Sequence, residues 1–197
     1  MTILRSDIDG IVLAGGQGRR MGSVDKGFVV LDGRPLVVHV IERFAPQVRA
    51  LTINANQNAD RYTAFGYPVV ADAIGGFAGP LAGLHAGLSA STSPFVATCP
   101  CDSPFLPPDL VARLARAFDA QPIDIAVART FAQPHPVFAL VRRTLLAHLS
   151  RFLAAGGRKI DAWYASLPMA EVAFDDEADA FRNINTPAEL AASASAH

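Results

Sequence analysis

The sequence predicts an α/β fold, a single domain with three layers, α/β/α, around a mostly parallel central sheet. Apolar, β-rich runs alternate with segments of helical pattern, which is typical of parallel sheets covered by helices. Several of the apolar runs are continuous, as expected for strands that are buried on both faces. With 197 residues, 51% of them hydrophobic, the chain is long enough to bury an ample core within one domain spanning residues 1–197.

The strands are predicted at the apolar runs and the helices between them. Predicted strands are Gly10–Ala14, Ala50–Ala55, Pro68–Ala71, Pro94–Thr98, Ile123–Ala128, Pro136–Val141 and Met169–Phe174. Predicted helices are Pro35–Ala45, Asp60–Phe65, Pro80–Ala90, Pro108–Phe118, Arg142–Ala155 and Lys159–Leu167. Pro35, Pro80 and Pro108 each stand where the first helical turn is expected, a place that needs no N–H donor.

Charge and composition exclude several classes of protein. The formal net charge is −1, so nothing indicates general binding to nucleic acid or to a membrane surface. No apolar run approaches the roughly 20 residues that a membrane span needs, and the N-terminus lacks the apolar core of a signal peptide. The two cysteines, Cys99 and Cys101, lie too close for a normal structural disulfide framework, so a reduced, cytoplasmic setting is expected.

The first predicted strand runs into a loop rich in glycine and positive charge. The loop and its flank contain Gly15, Gly16, Gly18, Arg19, Arg20, Gly22 and Lys26. Glycine permits positive φ and lets a bulky anion approach backbone N–H groups, while the cationic side chains supply the opposing charge. The spacing matches neither the Walker pattern nor the dinucleotide-binding pattern. The loop therefore favours a nucleoside triphosphate ligand; the alternative is an ordinary strand–turn with surface arginines.

The residues Leu13–Gly16, Arg20–Gly22 and Lys26 resemble the signature loop of nucleotidyltransferases that load NTPs onto sugars, polyols and pterins. The two adjacent glycines are similar to those of molybdenum cofactor guanylyltransferases of the MobA type, since relatives that use other nucleotides more often have Leu-Ala-Ala-Gly. The resemblance implies a Rossmann-like nucleotidyltransferase fold and Mg²⁺-dependent transfer of GMP from GTP to the terminal phosphate of molybdenum-loaded molybdopterin, with pyrophosphate released. It implies GTP contacts from Leu13, Ala14, Gly15, Gly16, Arg20, Gly22 and Lys26. Arg20 and Lys26 would balance the triphosphate charge as catalytic residues.

An aspartate follows the predicted strand Pro94–Thr98. Asp102 stands where ligands bind in open α/β sheets, at the carboxyl end of a strand. Mg²⁺ prefers one or two carboxylates with phosphate oxygens and waters, so Asp102 is a candidate metal ligand, GTP contact and catalytic residue; a turn-capping role is the alternative. The segment Cys99-Pro-Cys101-Asp102 also resembles the guanylyltransferase pattern. The cysteines are expected to be small buried residues rather than zinc ligands, with a direct role toward the sulfur-rich pterin left open.

Two more predicted strands end in polar residues at the same edge. The resemblance implies that Asn54 and Asp72 line the GTP site, where guanine offers N–H donors and an O6 acceptor, but which of them meets base or ribose stays open. For Asn56, a turn-forming role is as good an interpretation as a contact with GTP. Gly79 precedes a helix whose N-terminus would face an anion, and the resemblance implies that this segment lies beside the nucleotide. Loop formation and close packing of the helix through its glycines is the alternative.

The C-terminal segment resembles the family's tail, which implies that Asn183 and Asn185 lie on the acceptor side near the pterin. Thr186, Pro187 and Glu189 form a capping box, so a last helix is expected to begin at Pro187.

His135 resembles a family segment in which histidine and proline precede an apolar strand, and we expect a loop or wall residue there rather than a base. The terminal phosphate of the pterin acceptor is already an anionic nucleophile, so the transfer requires no general base.

Two alternative functions stay open: a cytidylyl- or uridylyltransferase acting on a related pterin or small phosphate, and a non-catalytic carrier of the finished cofactor. The expected partners are GTP, molybdopterin and, transiently, proteins that deliver or receive the cofactor.

Overall fold

A seven-stranded sheet forms the centre of the structure, a computed structural model that describes residues 2–15, 25–74 and 79–184. The strands in chain order are β1 (Ile8–Leu13), β2 (Val30–Leu31), β3 (Arg34–Pro35), β4 (Ala50–Asn54), β5 (Val69–Val70), β6 (Phe95–Pro100), β7 (Ile125–Thr130), β8 (Gln133–Arg142) and β9 (Met169–Ala173). The order across the sheet is β5-β4-β1-β6-β8-β7-β9, and β2 and β3 form a separate hairpin.

The sheet is mostly parallel, as predicted. Parallel pairs join β1 to β4 and β6, β4 to β5, and β7 to β9. β8 runs antiparallel to both of its neighbours, β6 and β7. Only two residues separate β7 from β8, which is too short for the crossover that a parallel pair needs. The chain therefore returns directly beside β7, and the sheet is mixed at this end.

Helices cover both faces of the sheet. In the described chain they are α1 (Leu36–Phe44), α2 (Ala59–Thr63), α3 (Pro80–Ala90), α4 (Leu110–Ala120), α5 (Leu146–Ala154) and α6 (Ile160–Tyr164). One buried cluster joins one face of the sheet to α1, α2 and α4, and a second joins the other face to α3, α5 and α6. The predicted three-layer α/β/α arrangement is confirmed.

The side chains of β1 show how the two layers of core are built. Val12 packs in the first cluster with Val40 of α1, whereas Ile11 packs in the second cluster with Leu84 of α3. This alternation follows from the two-residue period of a strand. The helix α3 approaches the sheet closely because Gly87 has no side chain: a Cβ there would lie 2.7 Å from Ile11 Cδ1.

The ends of several elements differ from the prediction. Pro80 opens α3 as expected, but Pro35 is the N-cap of α1 and Asp109, the residue after Pro108, is the N-cap of α4. Extended backbone (ψ 143°) at Pro35 pairs it with Val30 in the β2–β3 hairpin, so this proline ends a strand rather than starting a helix.

Three further differences concern local turns. The β2–β3 hairpin was not predicted, although its turn residues Asp32 and Gly33, both with positive φ, are a typical hairpin signal. The predicted helix Arg142–Ala155 is interrupted at its start, because β8 reaches Arg142 and a 3₁₀ turn, Arg143–Leu145, precedes α5. The expected helix from Pro187 lies outside the described residues.

The carboxyl ends of four parallel strands lie side by side. Leu13 of β1 is in register with Asn54 of β4 and with Pro100 of β6, and Asn54 is in register with Val70 of β5. The loops that follow these strands therefore open at one edge of the sheet, which is where an open α/β sheet binds its ligands.

Candidate active site

Lys26 and Asp102 meet at this edge. The Lys26 Nζ atom lies 2.8 Å from Asp102 Oδ2, although the residues are 76 positions apart in sequence. The Asp102 side chain is 9% exposed and that of Lys26 is 29% exposed, so the pair is screened less than a surface ion pair. The structure thus brings together, at the carboxyl edge of the sheet, a cation and a carboxylate that were both predicted as catalytic.

The loop that carries Asp102 is held by the C-terminal segment. The Ile184 N–H donates to the backbone carbonyl of Asp102 at 3.0 Å, and the buried Ser103 hydroxyl donates to Asn183 Oδ1 at 2.5 Å. Asn183, predicted on the acceptor side, therefore lies next to the Asp102 loop. Asn185, its predicted companion, lies outside the described residues.

Asn54, Asn56 and Asp72 form one hydrogen-bonded network. Asn54 Nδ2 donates to Asp72 Oδ1 at 2.8 Å and to the Val70 carbonyl at 3.2 Å. Asn56 Nδ2 donates to Asp72 Oδ2 at 2.7 Å, and Asn56 Oδ1 accepts the Asp72 N–H at 2.9 Å. The structure brings Asn54 and Asp72 together, as expected for neighbouring strand ends. It also makes Asn56 a full member of the network.

Glycines on two elements leave room for these amides. A Cβ at Gly15 would lie 2.9 Å from Asn56 Nδ2 and 3.1 Å from Asn54 Oδ1. A Cβ at Gly83 of α3 would contact Asn54 Oδ1 and lie 2.7 Å from Leu13 Cδ2. Gly15 does not have positive φ, so glycine at this position allows close packing against the amides rather than a left-handed turn.

The remaining predicted GTP contacts fall into two groups. Leu13 and Ala14 continue the strand pairing of β1, since the Leu13 carbonyl accepts the Cys101 N–H at 3.1 Å and the Ala14 N–H donates to the Asn54 carbonyl at 2.8 Å. Gly79 is the N-cap of α3, and its backbone (φ 63°, ψ −150°) is accessible essentially to glycine alone. Gly16, Arg20 and Gly22 lie outside the described residues.

Both cysteines are free and buried under the site. Burial raises the pKa of the Cys99 and Cys101 thiols well above the usual value, and the negative charge of Asp102 raises the pKa of both thiols further. A protonated, buried thiol is a poor metal ligand and a poor nucleophile. This environment is that of two small packing residues.

His135 lies in a wall of ring side chains at the start of β8. Its imidazole stacks on the Phe181 ring with centroids 4.8 Å apart, and its Nε2 lies 2.7 Å from Thr130 Oγ1. Burial lowers the pKa of His135, which favours the neutral imidazole. A neutral, stacked imidazole at this position packs among the neighbouring rings, as expected for a wall residue rather than a base.

Three residues that the sequence analysis did not select surround the turn of Lys26. Asp25 caps this 3₁₀ turn, Lys26–Phe28, and accepts hydrogen bonds from Tyr62 and Asn58 of the α2 segment. An aspartate directly before Lys26 was a visible signal of a cap. The two partners come from more than 30 positions away, and no local pattern pointed to them.

The candidate metal site depends on Asp102. Within residues 2–15, 25–74 and 79–184, no group of three or more His, Cys, Asp and Glu side chains is placed to hold a metal ion. Asp102 nevertheless fits a divalent cation, because its Oδ2 already engages a positive charge, the Lys26 ammonium, at 2.8 Å. Mg²⁺ commonly takes one or two protein carboxylates and completes its shell with phosphate oxygens and water.

None of the helices in the described part of the chain is both long and apolar enough to cross a membrane.

The chain is similar to known proteins over nearly its whole length. The chain matches the family model described as MobA-like NTP transferase domain over residues 10–169. The molybdenum cofactor guanylyltransferase of Cupriavidus necator is 51% identical over 193 residues, which cover 95% of this chain and 96% of the relative. That of Burkholderia lata is 52% identical over 194 residues, covering 94% of each chain.

Two solved structures show the same architecture. Molybdopterin-guanine dinucleotide biosynthesis protein A from Archaeoglobus fulgidus superposes with a TM-score of 0.78 at 26% identity, covering 95% of this chain and 97% of that one. The 4-diphosphocytidyl-2C-methyl-D-erythritol synthase of Anaerococcus prevotii has a TM-score of 0.73 at 11% identity over 98% of both chains, and here the likeness is one of fold alone.

Proposed function

Because this chain belongs to the MobA-like NTP transferase family, we propose that it transfers GMP from GTP to the terminal phosphate of molybdenum-loaded molybdopterin, releasing pyrophosphate. The observation that carries this function is the Lys26–Asp102 pair, with Nζ and Oδ2 2.8 Å apart at the carboxyl edge of the sheet. A triphosphate needs a cation against its oxygens and a carboxylate that can share a divalent ion with it. The pair offers both at one point.

The nucleotide is assigned to the loops on the β1 side of this pair. Backbone N–H groups from Gly15 to Gly22, including that of Gly16, would face the phosphates, with Arg20 and Lys26 balancing their charge, while Leu13 and Ala14 lead the chain into this loop. The network of Asn54, Asn56 and Asp72 offers amide and carboxylate groups to the guanosine, and Gly79 lets the backbone turn into α3 beside it.

The chemistry is an in-line displacement at the α-phosphorus of GTP. An oxygen of the terminal phosphate of the pterin forms the new P–O bond, and the bond between the α-phosphorus and the bridging oxygen breaks, so that pyrophosphate leaves with the electron pair. Mg²⁺, held by Asp102 and by phosphate and water oxygens, would neutralise part of the phosphate charge. Lys26 and Arg20 stabilise the charge that develops, and catalysis rests on positioning and electrostatics.

The acceptor is assigned to the opposite side of Asp102. The hydrogen bond that Asn183 accepts from Ser103, the residue after Asp102, supports this assignment, and Asn185 follows Asn183 closely in sequence. The cytoplasm suits a protein whose two cysteines are both free thiols. Transient contact with proteins that deliver or receive the cofactor belongs to the same proposal.

The test is release of pyrophosphate by purified protein with molybdenum-loaded molybdopterin and Mg²⁺, offered GTP, CTP, ATP and UTP in parallel. We expect release with GTP and loss of release on chelation of Mg²⁺. Release with CTP in place of GTP would move the protein to a cytidylyltransferase. Binding of the pterin without release from any nucleotide would contradict an enzymatic function and favour a carrier.

A further inference from the structure

We propose that Asp25, Tyr62 and Asn58 form a clamp that positions Lys26 for nucleotidyl transfer. This role rests on the function proposed above, in which Lys26 contacts the triphosphate. These three residues, the Asp25 clamp, meet at the Asp25 carboxylate, which caps the turn that begins at Lys26. They act on the backbone of the residue that carries the ammonium.

The carboxylate of Asp25 accepts hydrogen bonds on both of its oxygens. Oδ1 accepts from the Tyr62 hydroxyl at 2.6 Å and from the Gly27 N–H at 3.2 Å, and Oδ2 accepts from Asn58 Nδ2 at 2.9 Å. Charge-assisted hydrogen bonds of this kind are stronger than neutral ones. Because Asp25 and Gly27 flank Lys26, these bonds fix the backbone on both sides of it.

Packing around Tyr62 restricts the clamp further. Tyr62 has no exposed surface, and its ring lies 4.6 Å from that of Phe28, the last residue of the Lys26 turn. The Arg61 guanidinium also lies over the ring of Phe28, 3.7 Å from the ring centroid. A Cβ at Gly27 would contact the Tyr62 hydroxyl, so the turn sits directly against the hydroxyl that holds it.

The hydroxyl of Tyr62 is suited to a permanent donor role. Tyr62 belongs to the buried apolar cluster that also contains residues of α1 and α4. An unpaired hydroxyl would be costly in such surroundings, and Asp25 pairs it. Burial raises the pKa of Tyr62, and the carboxylate of Asp25 raises it further, so the phenol stays protonated.

Positioning matters here because a lysine side chain is long and flexible. The Nζ atom of Lys26 must stay within hydrogen-bond reach of Asp102 Oδ2 and of the triphosphate. A misplacement of about 1 Å at a reacting centre costs on the order of a hundredfold in rate. Fixing the backbone at Asp25 and Gly27 limits the positions that the Lys26 ammonium can reach.

The experiment compares two tyrosine-to-phenylalanine variants that remove equivalent buried hydroxyls. Tyr62→Phe removes the donor to Asp25, and Tyr164→Phe removes a donor to the Pro136 carbonyl at 2.8 Å on the other face of the sheet. We expect Tyr62→Phe to lower kcat for pyrophosphate release by about tenfold or more, with a smaller change in KM for GTP. Tyr164→Phe should leave kcat unchanged.

A double-mutant cycle separates positioning from a structural role. In a Lys26→Met background the ammonium is gone, so Tyr62→Phe should cause no further loss of kcat. An equal loss of kcat in both backgrounds would overturn the proposal, as would unchanged kcat for Tyr62→Phe in an active protein. Absence of release by the unchanged protein would overturn the proposed function and the clamp with it.

A second variant guards against a folding defect in Tyr62→Phe. Asn58 is exposed and has positive φ (54°), so Asn58→Gly removes the donor to Asp25 Oδ2 while easing the backbone. We expect a lower kcat with an unchanged melting temperature. If Asn58→Gly melts normally and keeps full kcat, the clamp does not position Lys26.

Discussion

Replacing Gly83 with alanine is expected to weaken both the fold and the binding of GTP, through one displaced amide. The alanine Cβ would contact Asn54 Oδ1 and lie 2.7 Å from Leu13 Cδ2. To make room, the Asn54 side chain must leave its hydrogen bonds with Asp72 and with the Val70 carbonyl. The matched control is Gly87→Ala one turn further along α3, whose Cβ would lie 2.7 Å from Ile11 Cδ1 and touch no polar group of the site.

The expected difference in unfolding free energy between the two variants is what remains after their shared contributions cancel. Both gain about 1 kcal/mol of helix propensity and both lose about 1–3 kcal/mol to overpacking, so these contributions cancel in the comparison. Gly83→Ala also breaks one hydrogen bond to a carboxylate and one to a carbonyl. Asp72 is partly exposed, so we take the low end and expect these bonds to contribute about 2 kcal/mol.

Thermal unfolding and GTP titration measure the two effects. A difference of about 2 kcal/mol corresponds to a melting temperature about 4–8 °C lower for Gly83→Ala than for Gly87→Ala in a chain of this size. The dissociation constant for GTP should rise about tenfold or more in Gly83→Ala and stay unchanged in Gly87→Ala. Equal melting temperatures with equal GTP affinities would refute the reasoning, because Asn54 would then have moved without cost.

Three further predictions concern charged residues. Asp102→Ala should abolish pyrophosphate release while the circular dichroism spectrum and melting temperature stay near those of the unchanged protein; near-normal turnover would exclude the metal role. Lys26→Ala should lower turnover by about 10²–10³, as measured by steady-state kinetics, because it removes one electrostatic stabiliser of the phosphates; unchanged kinetics would argue against a phosphate contact. Burial opposes ionisation of Asp9, but hydrogen bonds from Ser91 and Arg49 outweigh it and lower its pKa, so its contribution to stability is present above about pH 4 and is lost as the pH falls below that. Urea denaturation of Asp9→Asn beside the unchanged protein should show a gap in unfolding free energy that is smaller at about pH 3 than at about pH 7; an equal gap at both pH values would contradict this.

Much of the fold could be predicted because its signals are local. The strands β1, β4 and β6 are short, mostly apolar runs, and α3 begins at Pro80 as the proline itself indicated. The direction of β8 could not be predicted from its own residues. It depends on the two-residue connection after β7, which brings the chain back antiparallel instead of through a helix.

Some residues of the candidate site could be predicted from the sequence, and others could not. The glycines after β1, the cationic Lys26 and Asp102 after β6 could be chosen from the sequence, because each follows a strand at the edge where ligands bind. The amide network that joins Asn54 to Asp72 was foreseen only as two separate strand ends. The role of Asn56 in it emerged from the approach of β4 to β5.

The sequence by itself determined the class of fold and the family, and it predicted the edge of the sheet that carries the candidate site. These depend on periodicity and on residues that stand close together in the chain. Only the tertiary structure decided that Lys26 reaches Asp102, that Tyr62 and Asn58 hold Asp25, and that Gly83 must lack a side chain beside Asn54. Each of these contacts joins residues that lie 29 to 76 positions apart in sequence. Their distances arise from how strands and helices pack, and that packing leaves no local pattern in the sequence.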